Sequence, residues 1–211
     1  MGIIWGSRKL FARSEHAVRS ALRHPLLAGR PVIVRGAYSI VLCGESSVFK
    51  LTIDSAAYAL AEQQSRWLNP ALPATGALHG IVGEIACGVP LLLFEMESLQ
   101  KLQVGSAARK TCLSIARRLR PIVWDGMTSV ERLRHVGALQ PNMAIGHALG
   151  LLADFLEPRW PAVDLDLHSA NFMLRQSTGE AVISDPFMDV GTRTIVLDDY
   201  KLGFPDGTRI L

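Results

Sequence analysis

Three cysteines, Cys43, Cys87 and Cys112, are all that this 211-residue chain contains. Their number is odd and their spacing wide, so no metal-type pair exists among them, and reduced thiols in a cytoplasm are the expectation. Long apolar runs are missing too. The longest, Val89 to Phe94, is far too short to span a bilayer. The start, Met1 to Phe11, lacks a long apolar stretch and a small-residue cleavage site, so no signal peptide is expected. Charge excess is small: net +3, with an isoelectric point near 8.9. That is too little to argue for nucleic acid as a direct substrate, and it is compatible with binding a small polyanion. Internal repeats, low-complexity tracts and a Gly-x-Ser-x-Gly nucleophile elbow are all absent. His135, His147 and His168 have no tight metal-ligand spacing.

What is there is an ordinary globular composition, 49% hydrophobic and 19% charged, in a length suited to one domain or one bilobal unit. Ser14 to Leu27 reads as a helix, capped by Ser14 and ended by Gly29. Pro31–Val34, Ile40–Cys43 and Ser47–Ile53 read as three short antiparallel strands joined by tight turns. Asp54 or Ser55 then caps a helix to about Leu68, stopped by Asn69-Pro70. Ile81–Ala86 and Pro90–Met96 are two more strands, separated by Gly88. Helices follow over Ser106–Leu119, Val130–Leu139 and Asn142–Leu156, the last with Ile145, Ala148, Leu149, Leu152, Phe155 and Leu156 on one face. Val163–Leu167 and Phe172–Arg175 flank a polar loop, and Ala181–Ile183 is a short buried strand. The tail from Met188 reads as loop, with a strand at Thr194–Leu197. This order gives an α+β fold: a five-stranded antiparallel sheet with one helix, then a helical lobe, with a small-molecule cleft between them.

Chemistry concentrates in Asp166-Leu-His-Ser-Ala-Asn171 and in Asp185, fourteen residues beyond Asn171 at the end of an apolar strand. Phosphoryl transfer needs a carboxylate to orient or deprotonate the attacking hydroxyl, which suits Asp166. It also needs hard oxygen ligands for Mg²⁺, which suits Asn171 and Asp185. Taken singly these residues have plainer uses. Asp and Asn favour turns, Asp185-Pro186 can end a strand, Lys50 can be a solvated strand residue and His168 can brace its loop. Their order along the chain is what selects the chemistry.

Asp166-x-x-x-x-Asn171 followed by Ser184-Asp185-Pro186-Phe187 resembles the catalytic loop and metal-binding motif of protein kinases and aminoglycoside-phosphotransferase-like kinases. Motif order agrees over roughly residues 30 to 190. The short chain, the Asp-Leu-His-x-x-Asn form and the Asp-Pro form look most like the short early-expressed Ser/Thr kinases of podophages. The resemblance implies a bilobal protein-kinase-like fold, with residues 1–97 as nucleotide-binding lobe and 98–211 as a reduced helical lobe. It implies ATP and Mg²⁺ as cofactors. Lys50, in Val48-Phe49-Lys50, would grip the α/β-phosphates, with Glu62 on the next helix as its partner. Gly36 and Ser39 would stand at the glycine-rich loop, and backbone groups of Glu97 and Leu99 would meet adenine. Acceptors would be host proteins, RNA polymerase among them, with host transcription shut off and the enzyme in the host cytoplasm. Departures are clear. Asp164-Leu165 replaces His-Arg, removing a regulatory arginine. Pro186-Phe187 replaces Phe-Gly, and a proline there opposes an in/out flip. Only Gly36 survives of the glycine loop, and 26 residues follow Asp185.

Two other functions fit the same residues: a kinase-fold pseudokinase that inhibits a host protein by binding it, and a small-molecule kinase. The stretch Arg109, Lys110, Arg117, Arg118 and Arg120 is a solvated helix face or a dock for an acidic partner. Thr192 and Thr194 are candidate autophosphorylation sites.

Overall fold

The computed structural model describes residues 15–36, 38–85, 88–120 and 126–194. Five strands form one antiparallel sheet in the order β1-β2-β3-β5-β4. They are β1 (Val32–Arg35), β2 (Ser39–Cys43), β3 (Ser47–Thr52), β4 (Thr75–Glu84) and β5 (Pro90–Glu97). Alternation along β3 gives the sheet two faces. Phe49 and Leu51, followed by Ile53, pack with Ile40, Leu42, Leu91 and Leu93 into a core covered by helix α1 (Glu15–Ala21). Val48, Lys50 and Thr52 point the other way, into a cleft. Period-2 patterning thus puts one lysine among apolar neighbours on the functional face.

Helix α2 (Ser55–Gln64) follows β3 at once. Asp54 caps it, its carboxylate accepting from the N–H groups of Ala56 and Ala57. Although α2 belongs to the sheet half in sequence, Ala56 and Leu60 sit in the second core, with the helices. Tyr58 meets Phe94 of β5 edge-on. The helix therefore bridges both halves.

The second core is built by α3 (Ala107–Arg118), α4 (Ser129–Ala138) and α5 (Met143–Leu156). The predicted inward face of α5 is buried throughout. Each such leucine or phenylalanine contributes about 2 kcal/mol of burial. Helices α4 and α5 touch through two glycines. A Cβ on Gly146 would stand 2.8 Å from the Gly137 carbonyl, so only glycine permits this crossing.

Two small sheets complete the lower half. Strand β7 (Val163–Leu165) pairs with β10 (Phe187–Asp189), and β6 (Gln100–Lys101), β8 (Phe172–Leu174) and β9 (Ala181–Ile183) form the other. The expected α+β architecture is present: the five-stranded sheet with one inserted helix, and the helical lobe. Several boundaries differ. Strand β4 begins at Thr75, six residues before the expected start, because Gly76 and Gly80 interrupt its apolar pattern. Met188 lies in β10 rather than in a loop, and 190–194 are helical rather than the start of a strand. Residues 195–197 of the expected last strand, Ser14 and Cys87 lie outside the described residues. No helix among the described residues is long and apolar enough to cross a membrane.

Candidate active site

Two loops cross at the base of the cleft, one joining β7 to β8 and carrying Asp166 and Asn171, the other joining β9 to β10 and carrying Asp185. They are stitched together by backbone. The Asp166 N–H donates to the Pro186 carbonyl at 2.8 Å, and the Ser184 N–H to the Asn171 carbonyl at 2.9 Å. Within the first loop, Asn171 Nδ2 donates to the Asp166 carbonyl at 2.6 Å. With its amide nitrogen committed, Asn171 keeps its Oδ1 as the free acceptor. His168 Nδ1 accepts from the Ala170 N–H at 3.2 Å, bracing the loop as its sequence position suggested.

Across the cleft, Lys50 Nζ donates to Asp185 Oδ2 at 2.8 Å. The lysine side chain is 8% exposed and the aspartate 41%, so the pair straddles the boundary between protein and cleft. The cleft has a volume of about 780 Å³. It is lined by every sequence-predicted site residue except Glu62: Lys50, Asp166, Asn171, Asp185, Gly36, Ser39, Glu97 and Leu99.

Glu62 is the correction. It lies on the outer side of α2, 57% exposed, and among the described residues pairs with Arg66, one turn on, at 3.7 Å. Ala56, Ala57, Leu60, Ala61 and Gln64 take the inward positions. Glu62 is two residues, about 200°, around the helix from Leu60 and so points away. The acid that does face the cleft from this helix is its cap, Asp54, 4% exposed. Sequence reasoning saw Asp54 only as a cap. The missed signal was its place four residues after Lys50 on the same side of the turn into the helix. Burial, and then the charge of Asp185, push the Asp54 carboxyl up to about 6, against the hydrogen bonds it accepts and the charge of Lys50.

Asp166 is also raised from the ordinary carboxylate range, first by burial, with His168 opposing and Asp185 reinforcing. Tyr38, in the roof beside Gly36, has its phenol raised by burial and by Asp166. Gly36 and Ser39 close the roof turn, Gly36 N–H donating to the Ser39 carbonyl at 2.8 Å.

The expected hinge residues edge the cleft, but Glu97 is heavily engaged. Its N–H donates to the Ala74 carbonyl at 2.9 Å and is not open to a ligand. Its carboxylate holds Arg175 at 2.7 and 3.1 Å. Arg175 also donates to the carbonyls of Pro70 and Leu72, joining three segments. Thr192 is buried, its N–H on Asp189 Oδ1 and its hydroxyl on the Ile53 carbonyl, so that candidate phosphorylation site is enclosed. Thr194 is exposed. Among the described residues no cluster of three or more His, Cys, Asp or Glu is placed to hold a metal. A cation here would instead use the mixed set of Asp185 carboxylate and Asn171 amide oxygen, hard donors of the kind Mg²⁺ takes together with water and phosphate.

No family model matches the chain, and no curated protein sequence matches it. Among solved structures it is similar to the GDP complex of a point mutant of aminoglycoside 2′-phosphotransferase-IIIa. The identity is 13% and the TM-score 0.34, over 89% of this chain and 78% of that one. At that distance the functional reading rests on the cleft itself.

Proposed function

We propose that the chain is an ATP- and Mg²⁺-dependent phosphotransferase that moves the γ-phosphoryl group to a Ser or Thr hydroxyl of a protein. The carrying observation is the Lys50–Asp185 ion pair at 2.8 Å, in which Lys50 reaches to a floor loop bonded to the one whose Asn171 amide is held by the Asp166 carbonyl. An ammonium, two hard oxygen donors and a partly buried carboxylate converge in a cleft whose lining also includes the apolar Ile33, Val34, Val41, Val48, Met96 and Leu99. Nucleotide chemistry uses both kinds of lining: base against apolar side chains, phosphates against polar ones.

In this reading residues 1–97 form the nucleotide-binding lobe and 98–211 the reduced lobe that carries the catalytic loop and the metal-binding motif. Lys50 neutralises phosphate charge. Asn171 Oδ1 and Asp185 would hold Mg²⁺, which supplies charge neutralisation on the β- and γ-phosphates. Asp166 takes the proton as the acceptor oxygen bonds to phosphorus and the bond to the bridging oxygen of ADP breaks. Burial, by raising the Asp166 carboxyl, makes it a better proton acceptor. Most of the rate gain is positioning and electrostatics. Host proteins, RNA polymerase included, are the acceptor class that the podophage-kinase resemblance implies.

A second reading, a kinase-fold binder that phosphorylates nothing, is favoured by one observation. Edge strand β1 exposes Val32, Ile33 and Val34 and among the described residues pairs on one side alone, an edge of the kind that receives a partner strand. Radiolabelled γ-phosphate transfer with Mg²⁺, with and without bacterial lysate, separates the two. Label on protein bands that is lost in Asp166→Ala supports the kinase. No label despite nucleotide binding supports the binder.

A further inference from the structure

We infer that Asp54, and not an acid within helix α2, is the positioning residue that couples this helix to the phosphate end of the cleft; the inference rests on the phosphotransfer reading. Three observations carry it. The first is contact across the fold. Asp54 Oδ1, already capping α2, also accepts the Asp189 N–H at 3.2 Å. Asp189 lies four residues past Asp185, in the strand that leaves the metal motif. The second is reinforcement of the same joint. Ser55 Oγ donates to Asp189 Oδ2 at 2.6 Å, and the other Asp189 oxygen takes the Thr192 N–H at 2.7 Å. The third is a link to the roof. Asp54 N–H donates to Thr52 Oγ1 at 3.0 Å, and that hydroxyl donates to the Tyr38 carbonyl at 3.0 Å.

A polar chain therefore runs from the roof, through Thr52 and Asp54, to the segment after Asp185. Thr52 is 0% exposed and Asp54 4%, so solvent does not compete for it. Asp54 lines the same cleft as Lys50 and Asp185, close enough for the charges of both to act on its carboxyl. Asp54 acts on the lysine by charge and on the metal segment by hydrogen bond, so moving α2 moves both. It touches no reacting atom: it positions Lys50 and Asp185.

The test compares Asp54→Ala, Asp54→Asn and Glu62→Gln with wild type in three readouts: phosphoryl transfer rate, Mg·ATP affinity, and amide exchange at Asp189 without ligand. Asp54→Ala is expected to speed exchange at Asp189 and to lower the transfer rate about tenfold or more, with affinity changed less than about threefold. Asparagine keeps an acceptor oxygen and caps helices well, so Asp54→Asn is expected to restore slow exchange yet leave transfer reduced, because the charge is gone. Glu62→Gln is expected to match wild type throughout. Wild-type transfer by either Asp54 variant, or a loss in Glu62→Gln as large as that in Asp54→Ala, overturns the inference. If wild type transfers no phosphate, the phosphotransfer reading fails separately. The Asp54 joint is then decided by exchange at Asp189: faster in Asp54→Ala supports it, unchanged overturns it.

Discussion

The floor and the roof of the cleft are built on opposite terms. The floor is two loops whose backbones are bonded to each other at Asp166–Pro186 and Asn171–Ser184, with Asn171 folded back onto Asp166. The roof is the β1–β2 turn, where the Gly36 N–H meets the Ser39 carbonyl and the Tyr38 carbonyl takes bonds from Thr52 and Ile53, beside an edge strand with all four residues exposed. Groups that must be placed to a fraction of an ångström sit on the cross-bonded side. The side that has to admit a ligand carries exposed apolar surface, and these bonds of its turn stay within its own sheet. Precision and access are assigned to different strands of chain.

That contrast can be broken most sharply at Asp166. Asp166→Ala should lower phosphoryl transfer by about 10²- to 10⁴-fold while nucleotide affinity stays near wild type, as calorimetry beside a transfer assay would show. A large loss of affinity would mean that the floor binds rather than reacts. Next comes Arg175, whose guanidinium serves Glu97 and two carbonyls and is 15% exposed. Arg175→Ala should cost about 2–4 kcal/mol in chemical denaturation, because a carboxylate and two carbonyls lose their partner. An unchanged midpoint would show that the hinge is held elsewhere.

Asp54 gives a pH signature. Its carboxyl is lifted from 3.8 to about 6 on folding, by burial first and then by Asp185. The folded chain thus binds this proton more tightly than the unfolded chain, and the stability so gained is lost as pH rises from about 4 to about 6. Asp54→Asn, measured without nucleotide or metal, should gain on wild type by up to about 3 kcal/mol between pH 4 and pH 7. A difference flat in pH would place Asp54 in a wetter setting. The smallest effect belongs to the roof: Ile33→Ser should change stability by about 0.5 kcal/mol or less, since Ile33 is 53% exposed. A larger loss would mean that the edge strand is anchored after all.

Much of this was readable from the sequence, for physical reasons. Helix α5 announces itself because its apolar spacing and its burial follow the same 3.6-residue period. Lys50, Asp166, Asn171 and Asp185 could be picked out because their residue types stand in the order of one motif pattern along the chain, and the cleft does gather them. Glu62 failed because motif order fixes an element and not a face of it. Whether residue 62 looks inward depends on the rotation of α2, which Ala56 and Leu60 set by packing into the helical core. Strand β10 was hidden because its three residues gain their order from β7, far away in sequence. Asp54 was hidden because a capping residue and a site residue look alike until the fold shows what else the cap faces.

Arg175 has a consequence for motion. Its guanidinium ties Glu97 and the carbonyls of Pro70 and Leu72, two separate stretches of chain, to its own strand in one knot beside residues 97–99, and Ile183 N–H adds a bond to the nearby Ala71 carbonyl at 2.8 Å. A jaw that swung about those residues would have to pull the knot apart on every cycle. The economical movement is the lifting of a flap, the β1–β2 turn, over a frame that stays shut.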